Sequence, residues 1–120
     1  MDMQHKSYCL QVNRQEEAVY RFIEEFWPNC YESQYSSGYL RVFEDYSLMK
    51  GNNIMVCIRV DTSRSEQGEL DIEIIAGGAR TGLIFDIGMG SEGRRIRKFE
   101  KELLSFCREK GINLEILNEG

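Results

Sequence analysis

Proline and histidine occur once each, at Pro28 and His5, and 15 basic residues face 20 acidic ones. The lone histidine sits in the N-terminal segment, so a Ser-His-Asp or Cys-His nucleophile has little to work with. The net charge of −5 withholds the basic field by which a protein grips a phosphate backbone, which argues against nucleic acid as a partner. Four cysteines, at 9, 30, 57 and 107, form no CxxC and no zinc pattern; small buried thiols are expected rather than disulfides. The run Ile54-Met55-Val56-Cys57-Ile58 is far shorter than the ~20 apolar residues that span a bilayer. The start, Met-Asp-Met-Gln-His-Lys-Ser-Tyr, has no apolar leader. No membrane association and a cytoplasmic location are therefore expected. A Gly-Lys-Ser/Thr sequence is absent too, which excludes a Walker P-loop, and no cofactor is indicated.

What is present is globular: hydrophobic residues make up 42% and charged residues 29% of 120 residues, enough chain for one domain with its own core. Lys6, Tyr8, Leu10 and Val12 alternate with His5, Ser7, Cys9 and Gln11, the pattern of a strand with one buried face. Asn13 with Glu16 resembles a capping box, and Val19, Phe22, Ile23 and Phe26 follow at helical spacing until Trp27-Pro28. This predicts a helix over residues 14–26. A polar connection bearing Tyr31 and Tyr35 leads to a strand from Tyr39. There Leu40, Val42, Tyr46 and Leu48 share one parity, Arg41, Asp45 and Ser47 the other, and Phe43 is the exception, suggesting a partly covered outer face.

Turn chemistry at Lys50-Gly51-Asn52-Asn53 makes a hairpin with Ile54 to Val60. Glu69 to Ala76 alternates Leu70, Ile72 and Ile74 against Asp71, Glu73 and Ile75. Gly77-Gly78 punctuates it, and Leu83 to Ile87 reads as one more short strand. Ser91 is placed to cap a second helix with Ile96, Phe99, Leu103, Phe106 and Cys107 as its apolar stripe, closed by Lys110-Gly111. Ile112, Leu114 and Ile116 suggest a last edge strand. The order is β-α-β-β-β-β-α-β, a single α+β domain over residues 1–120 with an antiparallel sheet of five to six strands and both helices on one face.

The richest local signal runs from Gly77 to Gly93, where Gly88-Met89-Gly90-Ser91-Glu92-Gly93 spells G-x-G-x-x-G. In a dinucleotide fold that pattern lets a backbone approach a pyrophosphate at a helix N-terminus. Only 27 residues follow Gly93, too few for the parallel strands such a fold needs, so turn or bulge chemistry is the expected role. Arg94, Arg95, Arg97 and Lys98 occupy the opening turns of the helix, where positive charge opposes the macrodipole and an anion would relieve the conflict. Arg80, Ser91, Arg94 and Arg95 are thus candidates for an anion site, against a plain solvated face. Trp27, Tyr35 and Tyr39 are candidates for a partner surface, against ordinary core and rim packing. Asp86, set within Leu-Ile-Phe-Asp-Ile, is the carboxylate that an enzyme reading would recruit.

Val42-Phe43-Glu44-Asp45-Tyr46-Ser47, with Gly51-Asn52-Asn53, Gly77-Gly78, Leu83-Ile84-Phe85 and Gly90-Ser91-Glu92, resembles a family of short bacterial proteins of unknown function over roughly residues 39–107. The resemblance implies no activity and no site residue. From the residues, the expected function is a non-enzymatic module that binds a small molecule or a protein, a second copy of the chain included. The alternative is a small enzyme or a nucleotide- or anion-binding protein using the glycine-rich loop 77–93.

Overall fold

A computed structural model describes residues 3–47, 52–79 and 90–119. Six strands form one antiparallel sheet in the spatial order β2-β3-β4-β5-β1-β6, with two helices in the order β-α-β-β-β-β-α-β. The first strand, β1 (Met3–Gln11), lies between β5 (Glu69–Ala79) and β6 (Asn113–Glu119), pairing Leu10 with both Leu70 and Leu114. Its alternation behaves as the sequence implies: Tyr8, Leu10 and Val12 are wholly buried.

Helix α1 (Glu16–Phe26) starts later than the capping-box pattern suggests. Asn13 and Arg14 take left-handed conformations, φ +46° and +74°, so the cap position falls on Gln15, whose side chain makes no capping bond. Asn13 serves the turn instead, a conformation asparagine tolerates well. Glu16 and Glu17 in the first turn suit the positive end of the helix dipole. The helix stops before Pro28, which has no N–H to continue it.

The polar segment expected to be a connection is a strand, β2 (Tyr31–Tyr35), paired with β3 (Gly38–Ser47) from Tyr31↔Val42 to Tyr35↔Gly38. An edge strand needs no apolar face on both sides, which is why its composition resembles a loop. Gly38, with φ +152°, is required at the turn: a Cβ there would lie 1.9 Å from the Val60 carbonyl oxygen. Strand β4 (Asn52–Asp61) completes the expected hairpin with β3, in register from Gly38↔Asp61 to Ser47↔Asn52. Asn52 and Asn53 belong to β4 rather than to the turn, and Gly77-Gly78 does not end β5 but pairs within it, opposite Met55 and Ile54. The short strand expected at Leu83 to Ile87 lies outside the described residues. With β2 counted, β2 to β5 supply four strands between the helices.

Helix α2 (Gly90–Lys110) buries Ile96, Phe99, Leu103 and Cys107, the expected stripe. Ser91 lies one residue past the start of the helix at Gly90. At the other end Gly111 is left-handed (φ +71°). The Ile112 N–H donates to the Cys107 carbonyl and the Gly111 N–H to the Arg108 carbonyl, a Schellman closure. Arg108 and Lys110 complement the negative end of the dipole.

Both helices cover one face of the sheet. Phe99 is the centre of an aromatic cluster: Tyr8 of β1, Phe22 and Phe26 of α1 and the adjoining Trp27 all lie within 6.3 Å of it, centroid to centroid. Glu100 of α2 accepts from Lys6 Nζ (2.7 Å) and from the Tyr8 hydroxyl (3.0 Å), tying the helix to β1.

Candidate functional site

On β3 the sequence parity resolves opposite to expectation. Arg41 pairs with Ile58, Tyr39 with Val60 and Phe43 with Val56, and these three β4 partners are fully buried under the helices. Tyr39, Arg41 and Phe43 therefore face α1: Tyr39 meets Tyr20 edge to face and Phe43 packs 3.9 Å from Trp27. Arg41 donates through Nη1 to Glu32 (2.6 Å) and through Nη2 to the Trp27 carbonyl (2.9 Å), which makes a cation tolerable under the helices. Burial, more than the neighbouring Tyr20, raises the Tyr39 hydroxyl well above its ordinary pKa.

Leu40 and Val42 consequently lie on the other face, which no described element covers. The register draws a row across this open face, from Tyr31 through Val42 and Cys57 to Ile75 and His5. Tyr31 is 68% exposed and Met55, one row along, 54% exposed; Val42, Cys57 and Ile75 are half-buried. This is an apolar strip on a surface whose other rows are charged.

The next two rows form a hollow of about 240 Å³, lined by Ser7, Arg59, Asp61, Arg64, Asp71, Glu73 and Leu117 with the strand edges of Tyr8 and Ile72. Leu117 reaches it because β6 slips register against β1 between Ser7 and Tyr8. Arg64 grips Asp71 through Nε (3.2 Å) and Nη2 (2.8 Å) and reaches Glu69 through Nη1 (2.8 Å); Arg59 Nη2 lies 3.3 Å from Glu73. The Ser63 amide donates to Asp61 (2.9 Å), and the bonds from Ser63 hold that carboxyl below its ordinary pKa. Cys9 sits beside the hollow with its Sγ accepting from Arg64 Nη2 at 3.7 Å; burial first, then Asp71 and Glu69, raises its thiol pKa. Thiolate chemistry is disfavoured there. By register and loop position the open face carries Glu44, Asp61, Glu69, Asp71, Glu73 and Glu115 against Arg59 and Arg64. Among the described residues the carboxylates are in excess.

The aromatic residues singled out by sequence divide between the two faces. Trp27 and Tyr39 lie on the covered face, Trp27 stacked 5.8 Å from Phe99, whereas Tyr35 is 44% exposed at the open face's edge. Arg80 and Asp86 lie outside the described residues. Ser91, Arg94 and Arg95 share the opening turns of α2, where Arg94 is exposed and Arg95 half-buried. Adjacent helical positions diverge by ~100°, so these two arginines do not converge by backbone geometry. The open-face residues were missed because no one segment contains them; the even parity of Leu40 and Val42 against Arg41 was the available signal. Among the described residues, no His, Cys, Asp or Glu group is placed to hold a metal ion. None of their helices is long and apolar enough to cross a membrane. No protein-family model matches the chain, and no curated protein matches it in sequence.

Proposed function

We propose that this chain is a non-enzymatic protein-interaction module that docks a partner on the open face of its sheet. The observation that carries this is the apolar row Tyr31–Val42–Cys57–Ile75, spanning four strands on a face that no described element covers, while the helices cover the other. Contiguous apolar surface rimmed by polar groups is the usual mark of an interaction site. Four unpaired cysteines suit a reducing compartment, and so a cytoplasmic setting. The resemblance to a family of short bacterial proteins of unknown function is kept as part of this reading and adds no activity to it. The described polar groups of the open face are largely bonded to each other, which favours binding over catalysis.

The test is positional. A photo-crosslinking side chain is placed at position 42 on the open face and, separately, at position 101 on the solvent side of α2. A discrete adduct from position 42 only, reproduced with the purified partner and lost when Ile75→Asp is added, supports the proposal. Adducts that arise only from position 101, or that ignore Ile75→Asp, overturn it.

A further inference from the structure

The hollow beside the apolar row narrows the chemistry of the partner. We infer, resting on the docking role just proposed, that the open face takes a cationic amphipathic segment of another protein. One Lys or Arg side chain sits in the hollow beside Asp61, and apolar side chains lie on Val42, Cys57 and Ile75.

Three observations carry this. First, the hollow holds three carboxylates, Asp61, Asp71 and Glu73, against two guanidiniums already engaged: Arg64 by Asp71 and Glu69, Arg59 by Glu73. An incoming anion would meet that acidic excess, whereas an incoming cation would meet the Asp61 carboxylate, which the Ser63 amide keeps ionised and which has oxygen lone pairs to spare. Second, the row of Arg59 and Glu73 lies two residues along the strands from the row of Cys57 and Ile75. The row of Asp61 and Asp71 lies two further. The cation and the apolar groups are thus ~7–13 Å apart, a spacing one amphipathic strand or helix presents on a single side.

Third, the described charges are unevenly shared between the two sides. The exposed basic stripe Arg94, Lys98, Lys101 and Arg108 along α2 is offset by exposed Glu102 and Glu109 beside it and by Glu17, Glu24 and Glu25 on α1, so the helix side is near balance, whereas the described charges of the sheet face are mostly carboxylates. A cationic partner is therefore drawn to the open face more than to the helices.

The experiment uses the full chain and a fluorescein-labelled amphipathic peptide of Leu and Lys, with a Leu and Glu counterpart, read by anisotropy at low and high ionic strength. The expected result is binding of the Lys peptide only. Its affinity falls on the order of tenfold for the pair Asp61→Asn and Glu73→Gln, and further at high salt, while Lys101→Glu does not weaken it. Equal binding of the Glu peptide, or indifference to the Asp61 and Glu73 changes, overturns the cationic assignment. If Ile75→Asp still abolishes binding in that case, the docking face itself stands. Should Ile75→Asp change nothing, both fall. Sedimentation of the chain alone separates the remaining occupant: a concentration-dependent dimer abolished by Lys101→Glu would place a second copy's α2 on the face and overturn the inference. Circular dichroism of each variant confirms that the fold is kept.

Discussion

The two faces of this sheet are built from the same strands and neighbouring residues, yet they solve different problems. Ile74 and Ile75 are adjacent in β5: Ile74 is fully buried under the helices, whereas Ile75 lies on the open face beside Cys57. The covered face is continuous aliphatic and aromatic packing with two neutralised cations among the described residues, Arg41 held by Glu32 and Lys6 by Glu100. The open face has an apolar row only one residue deep, set beside carboxylates. Burial by tertiary partners, not strand composition, separates a core from an open surface here, and the comparison can be attacked from either side.

The largest effect is expected at the centre of the covered face. Phe99→Ala removes the ring shared by β1, α1 and α2 and should cost about 3–5 kcal/mol in urea-unfolding free energy. A loss below ~1 kcal/mol would mean that the aromatic cluster does not hold the helices to the sheet. Next comes the adjacent pair. Ile74→Ala should cost about 2–5 kcal/mol and Ile75→Ala no more than ~1.5 kcal/mol, measured in the same denaturant series. Equal costs would erase the distinction between the faces, because a docking surface should be cheap to truncate in the free protein.

Arg41→Met follows. The guanidinium makes bonds to Glu32 and Trp27 but leaves Nε buried without a partner in the structure, so the native arrangement is not fully satisfied. Truncation loses both bonds, and Glu32 remains near solvent. The expected destabilisation is about 1–3 kcal/mol, with Glu32→Gln nearly silent once Arg41 is gone. Additive effects of the two changes in a double-mutant cycle would show that the pair is not coupled.

How much of this was legible in sequence depends on whether one segment carried the signal. The buried parity of Tyr8, Leu10 and Val12, the stripe of Ile96, Phe99 and Leu103, and the closure at Gly111 are each local, and the structure agrees with them. Strand β2 was hidden because an edge strand with Glu32, Ser33 and Gln34 has loop composition. On β3 apolar residues occupy both parities, and the choice between them rests on Glu32 and the Trp27 carbonyl, groups brought to Arg41 by other elements. The hollow was beyond reach for the same reason. Ser7, Arg59 and Asp71 meet only through the pairing of β1, β4 and β5, which no local spacing encodes. The glycine fingerprint was the converse, a strong local pattern that yields the helix start at Gly90 and a glycine in its first turn.

The smallest expected effect sets one cysteine against another. Cys57 is half-buried on the open face and Cys107 is 2% exposed on the covered one, where burial pushes its thiol from 9.0 up to about 11. The folded state therefore keeps a proton that the unfolded chain releases. The stability this represents is complete below 9.0 and is lost as pH rises toward about 11. Urea midpoints should accordingly be flat just on the acid side of this window and fall within it, less steeply in Cys107→Ala; because burial also raises the Cys9 and Cys57 thiols and the Tyr20 and Tyr39 hydroxyls, some slope persists there. A thiol reagent applied below the window should modify Cys57 in the folded protein and Cys107 only on unfolding. Bound Leu and Lys peptide should slow the first reaction and leave the second unchanged. Protection of Cys57 by the peptide would join the energetic comparison to the docking role, since only a ligand lying on that row can shield a thiol whose neighbours are Val42 and Ile75. Modification of both thiols at equal rates in the folded chain would break it, because the covered face would then be no better sealed than the open one.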